Sequence, residues 1–98
     1  MKLRDAARVI RSKNAGPLAV TLDIMFETRA AYDHAAQRLA ASAIAAAYNV
    51  PLEDVELMHV PNAQAIKIPL PRPTVAGSPG DRDVYGAQQH LPLLDLEL

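Results

Sequence analysis

The sequence predicts an α+β fold: a ferredoxin-like sandwich with one long helix packed on a small mixed or antiparallel sheet. Three observations carry this. Val20, Leu22, Ile24 and Phe26 alternate with Thr21, Asp23, Met25 and Glu27, the period-two pattern of a strand with one face on a core. From Ala30 to Tyr48 the chain is dominated by Ala with apolar residues at three- and four-residue spacing, which suits an amphipathic helix. After Pro51, two further alternating runs flank a Pro-Asn-Ala turn and predict a hairpin. One helix among short strands in 98 residues is built most simply as a two-layer sandwich, and residues 1–98 read as a single domain.

The elements follow in order. Leu3, Ala6, Ala7 and Ile10 have helical spacing, while the alternation around Val9 and Arg11 suits a short strand, so residues 3–11 stay open between the two. Ser12-Lys13-Asn14-Ala15-Gly16-Pro17 predicts a turn, because Gly permits positive φ and Pro fixes the next φ. The strand at Val20 to Phe26 comes next. In the helix, Tyr32, Ala36, Leu39, Ala43, Ala46 and Ala47 form the apolar stripe, with Arg29, Asp33, Gln37 and Arg38 away from it. Thr28 is the expected N-cap, and Asn49 before Val50-Pro51 the stop.

Leu52-Glu53-Asp54 suits a helical turn. Val55, Leu57 and His59 then alternate with Glu56, Met58 and Val60, which puts His59 on an apolar face, partly buried. Pro61-Asn62-Ala63 turns the chain, and Gln64 to Leu70 alternates again. Pro69, Pro71 and Pro73 remove three backbone donors within five residues, so this strand must leave the ladder or run on a sheet edge there. Residues 75–83 have loop composition. Leu91 to Leu98 ends the chain as an apolar strand that Pro92 pushes towards an edge. Five leucines in those eight residues predict association, with a partner or a second copy.

Composition excludes several classes of function. With 10 Lys+Arg against 11 Asp+Glu the net charge is −1, so no broad basic field exists for nucleic acid or an anionic membrane. The absence of Cys removes disulfide scaffolds, thiolate zinc sites and cysteine nucleophiles together. Met1-Lys2-Leu3-Arg4-Asp5 leads into no signal-peptide apolar run, and no stretch approaches the roughly 18 apolar residues of a membrane span, so the expected location is the cytoplasm. Ala supplies 18 residues and Phe and Tyr only 4, which makes the core light. A chain of this size buries only roughly 60–65% of its unfolded surface.

Two segments concentrate polar, conformationally constrained residues. The first offers Arg11, Ser12, Lys13, Asn14 and Gly16; the second offers Arg72, Gly77, Ser78, Gly80, Asp81, Asp83 and Tyr85, with Gln88, Gln89 and His90 beyond it. Each follows a predicted strand, so the two would meet at one end of the sheet as donors for a carboxylate or phosphate. The plainer reading is tight turns with solvated cations. Gly77-Ser78-Pro79-Gly80 lacks the spacing and the following Lys of a phosphate-binding loop, and Asp81, Asp83 and His90 have no recognised metal-ligand spacing. No cofactor and no metal are implied. His90 is the best single candidate for acid–base work, since an imidazole exchanges a proton near neutral pH. No serine has a nucleophile-elbow context, so the chain shows no self-sufficient catalytic set.

Val9 to Pro17, Thr21 to Phe26, and Gly77 to His90 followed by Pro92-Leu93-Leu94 are similar to a small bacterial family, domain of unknown function 4387. Members tend to be encoded beside large proteins of the acyclic terpene utilisation A type. The same motifs resemble the C-terminal ferredoxin-like domain of those large proteins. An Arg-Ser-Gly-Asp-Lys-Gly turn there falls on Arg11 to Gly16, and a Leu-rich end on Leu93 to Leu98. This chain has Lys13-Asn14-Ala15 where that domain has Gly-Asp-Lys. The resemblance implies a detached small subunit that completes a site on a large partner handling branched acids as carboxylates or acyl-CoA esters. The alternative is a stand-alone homo-oligomer that binds a small molecule or works as a lyase or hydratase.

Overall fold

Residues 3–11, open between helix and strand, form both in succession: α1 (Leu3–Ala6), then β1 (Val9–Asn14). The structure is a computed structural model that describes residues 1–71 and 90–98. β1 takes in Ser12, Lys13 and Asn14, which the sequence reading gave to the turn; they pair with Leu22, Thr21 and Val20 of β2 (Ala19–Met25). The reversal is confined to residues 15–18. Gly16 adopts φ +91 there, and the Ala15 N–H donates to the Ala19 carbonyl at 3.0 Å.

The single long helix is not what forms. The chain makes α2 (Arg29–Arg38) and α3 (Ala41–Tyr48), separated by Leu39 and Ala40 in extended conformation. Neither Gly nor Pro causes the break; the phase of the core residues does. At about 100° per residue, a continuous helix would place Ile44 about 180° from Ala35 and about 140° from Leu39. Interrupting the helix lets Tyr32, Ala35 and Leu39 bury together with Ile44. The predicted stripe is corrected with it, since Ala46 is exposed and Ala36, Ala43 and Ala47 are only half-buried. The two ends follow expectation. Thr28 Oγ1 accepts from the Ala31 N–H at 3.1 Å, and Asn49 closes α3 in the left-handed region at φ 54.

A 3-10 turn at Leu52–Asp54 leads to β3 (Met58–Val60), shorter than the alternation from Val55 suggested, and His59 on it is exposed, not partly buried. A second 3-10 turn, Pro61–Ala63, and Gln64 at φ 51 reverse the chain into β4 (Ala65–Pro71). The sheet is antiparallel throughout, in the order β1-β2-β4-β3. β2 and β3 therefore run parallel, joined through α2 and α3, with β4 between them.

β4 keeps two prolines inside the sheet by leaving one side open. β3 reaches only Ala65 to Lys67, so from Ile68 onwards β2 is β4's single partner. The Phe26 N–H donates to the Gln64 carbonyl at 2.9 Å. Alternation from that pair aims the amides of Ile66, Ile68 and Leu70 at β2, while positions 69 and 71 face the open edge, where a missing N–H costs little.

Directly paired residues share a sheet face. One face carries Val20, Leu22, Ile24, Ile66, Ile68 and Leu70 against Leu3, Tyr32, Ala35, Leu39, Ile44 and Leu93, all buried in one cluster. The C-terminal run is not the apolar strand that the sequence suggested. Pro92 sits in a 3-10 turn (Leu91–Leu93), Leu93 is fully buried, and the sheet's fourth strand is the N-terminal β1. The run straps the other end of the chain instead: Leu3 and Arg4 amides donate to the carbonyls of Leu96 and Leu94 at 2.8 and 3.1 Å, and Lys2 bridges Glu97.

A basic sheet face

The strand alternation that buries Ser12 and half-buries Asn14 on the helix side sends Arg11 and Lys13 to the opposite face. The expected donor group is thus divided by the sheet. Arg11 and Lys13 stand together, Ser12 and Asn14 do not join them, and Gly16 shapes the turn. Arg72, Gly77, Ser78, Gly80, Asp81, Asp83, Tyr85, Gln88 and Gln89 lie outside the described residues.

Two cross-strand rows define the face. One runs Arg11–Asp23–Lys67–Met58, and the next runs Lys13–Thr21–Pro69. A third, Val9–Met25–Ala65–Val60, borders them with apolar side chains. None of these residues belongs to the core cluster on the helix side. Arg11 and Lys13 are exposed, Thr21 and Lys67 half-buried, and Asp23 is 1% exposed. The Arg11 guanidinium donates from Nε to Asp23 Oδ2 at 3.3 Å. A buried carboxylate beside a half-free guanidinium is held by charge-assisted hydrogen bonding, and its removal would leave Arg11 without its partner.

Asp23 and Lys67 were missing from the sequence-derived set. Asp23 lies in the polar phase of its strand, which reads as solvent-facing. Lys67 enters only because β4 pairs with β2 across some forty residues of chain. The period-two pattern shows which residues share a face of one strand, not which strand lies alongside.

His90 stands elsewhere. It precedes the Leu91–Leu93 turn, which packs against α3, and its Nδ1 is buried with no hydrogen-bond partner. Away from the basic face, an open cleft of about 420 Å³ is lined by Met1, Asp5, Ala6, Ala30, Ala31 and His34. It contains none of the sequence-derived site residues. Among the described residues no helix is long and apolar enough to cross a membrane.

Fold and face together define a small α+β protein with its described helices on one side of an antiparallel sheet and a cluster of cations on the other. The chain belongs to the family described as Domain of unknown function (DUF4387), whose family model matches residues 3–97. No curated protein and no solved structure matches it.

Proposed function

We propose that this chain is a small accessory subunit that lends a basic sheet face to a larger catalytic partner acting on a carboxylate or acyl-CoA substrate. The observation that carries the reading is the placement of Arg11 and Lys13 side by side, exposed, on a face outside the helix-side core, next to Lys67. Charge-assisted hydrogen bonds contribute about 1.5–3 kcal/mol each, so two of them hold a small acid only in the micromolar-to-millimolar range. The remaining affinity, and the bond-making groups, come from the partner. Half-buried Val9, Met25 and Val60 beside the cations, with Met58 47% exposed, offer apolar surface to that partner.

The partner class follows from the family resemblance: a large protein of the acyclic terpene utilisation A type. The finer fold is a ferredoxin-like sandwich, supported by the split β-α-β unit in which β4 lies between β2 and β3. The Ala19–Pro71 pair brings the end of β4 to the sheet end where the 15–18 turn lies. Co-expression with such a large partner, followed by size-exclusion chromatography with light scattering, tests the proposal. The expected result is a stoichiometric complex that the double substitution Arg11→Glu/Lys13→Glu disrupts. A monomer or homo-oligomer that ignores the partner rejects it.

A further inference from the structure

The anion reading leaves Asp23 unused, although it is the most buried charged group of the basic face. Its Oδ2 is engaged by Arg11, whereas its Oδ1 is buried and has no hydrogen-bond partner. A buried acceptor left unpaired is costly, which makes such an atom a place where a donor from elsewhere is taken up. Lys67 lies directly across from it on β4, and Thr21 with Lys13 forms the neighbouring row.

A carboxylate oxygen accepts only; it repels an anion and takes an O–H or N–H. Lys13 and Lys67 have the opposite preference, and neither takes part in an ion pair among the described residues. A single ligand that satisfies both halves carries an anionic group and a hydrogen-bond donor close together. With three cations around one carboxylate, a second positive charge on the ligand is disfavoured, so the donor is neutral. We propose that this face binds a hydroxy acid, its carboxylate on Lys13 and Lys67 and its hydroxyl donating to Asp23 Oδ1. The side chain of Arg11 is 58% exposed against 2% for Asp23, so the arginine is the half of the pair with room to move. This inference rests on the anion-binding reading and adds a substrate class to it.

The test is titration of the ¹⁵N-labelled chain with lactate against propionate, and with 3-hydroxybutyrate against butyrate, followed at the amides of Lys13, Thr21 and Lys67. At least one hydroxy acid is expected to bind about 10-fold more tightly than its deoxy counterpart, equivalent to about 1.4 kcal/mol. Asp23→Ala should bring that ratio to about one without weakening the deoxy acid. Lys67→Met should weaken both acids and keep the ratio, which provides a second variant if Asp23→Ala fails to fold. Equal binding of both acids in each wild-type pair overturns the hydroxyl inference and leaves the anion reading standing. Binding of neither overturns both.

Discussion

Truncating Ile44 to Ala removes three carbons from a side chain that is 0% exposed and sits where α3 meets the core. Comparable core truncations cost about 2–5 kcal/mol, the larger values arising where neighbours cannot move into the space. On α3 the flanking residues are Ala43 and Ala45, whose methyl groups cannot fill the gap. The expected loss is therefore about 3 kcal/mol. A 98-residue domain has roughly 5–15 kcal/mol in total, so this is a large fraction. With a urea dependence of about 1–1.5 kcal/mol per molar, the midpoint should fall by about 2–3 M, read by far-UV circular dichroism. Ala46→Lys is the control, because Ala46 is exposed and its substitution should stay within about 0.5 kcal/mol. In one unbroken helix Ile44 would point away from Ala35, and the two outcomes would be reversed. A loss below about 0.5 kcal/mol for Ile44→Ala refutes the argument that the helix breaks in order to re-phase Ile44.

Four further outcomes follow from the described geometry. At Gly16, φ is +91 and an added Cβ would meet nothing within 4 Å, so Gly16→Ala should cost only backbone strain, about 1–2 kcal/mol, with Gly16→Asn milder; an unchanged thermal midpoint for the Ala variant rejects the left-handed turn. Leu93→Ala should cost about 2–5 kcal/mol and speed amide exchange at Leu3 and Arg4, whose hydrogen bonds depend on the C-terminal strap; unaltered exchange would show that Leu93 does not anchor it. The side-chain hydrogen bond from Arg4, together with the charges of Arg4 and Lys2, holds the Asp95 carboxyl below its ordinary value of 3.8. A depressed carboxyl stabilises above the unfolded value and loses that contribution as pH falls through the folded one. The strap's amide shifts should therefore move below about pH 4, and Asp95→Asn should remove that transition. Burial raises the Tyr48 hydroxyl above its usual 10, so its contribution is present below pH 10 and lost above it, and Tyr48→Phe should flatten the alkaline limb of the stability curve.

Elements whose signal is local were legible in the sequence. The alternation through Val20 to Phe26, the Thr28 cap, the Asn49 stop and the Pro61–Ala63 reversal each depend on a few adjacent residues, and each forms as those residues dictate. The prolines of β4 were legible as an edge signal because a missing donor excludes a second ladder partner. What escaped depends on distant pairing. A run of Ala has too little contrast in side-chain size to show that Ile44 must be turned to the core, so the helix looked continuous. Leu91 to Leu98 is apolar enough for a strand, but its carbonyls are claimed by Leu3 and Arg4, more than 85 residues away. In the candidate site, Arg11 and Lys13 were readable as neighbouring cations, but Lys13 was assigned to the turn, and only the β1–β2 register puts both on one face of a strand. The Asp23–Lys67 half needed the register of two strands separated by both helices.

The bridge between Lys2 and Glu97, with the Leu98 amide donating to the Met1 carbonyl at 3.0 Å, closes the polypeptide almost into a ring. In a ring the cut point is a matter of connectivity, not of packing. Joining the two ends by a short linker and opening the chain at the exposed 15–18 turn would make β1 the last strand instead of the first, at the loss of the ion pair between the Met1 α-ammonium and Glu97. Such a permuted chain should present Arg11, Lys13 and Lys67 on the same face. The basic surface is therefore portable: its order along the polypeptide can be rearranged without altering the pattern of charge that a ligand meets.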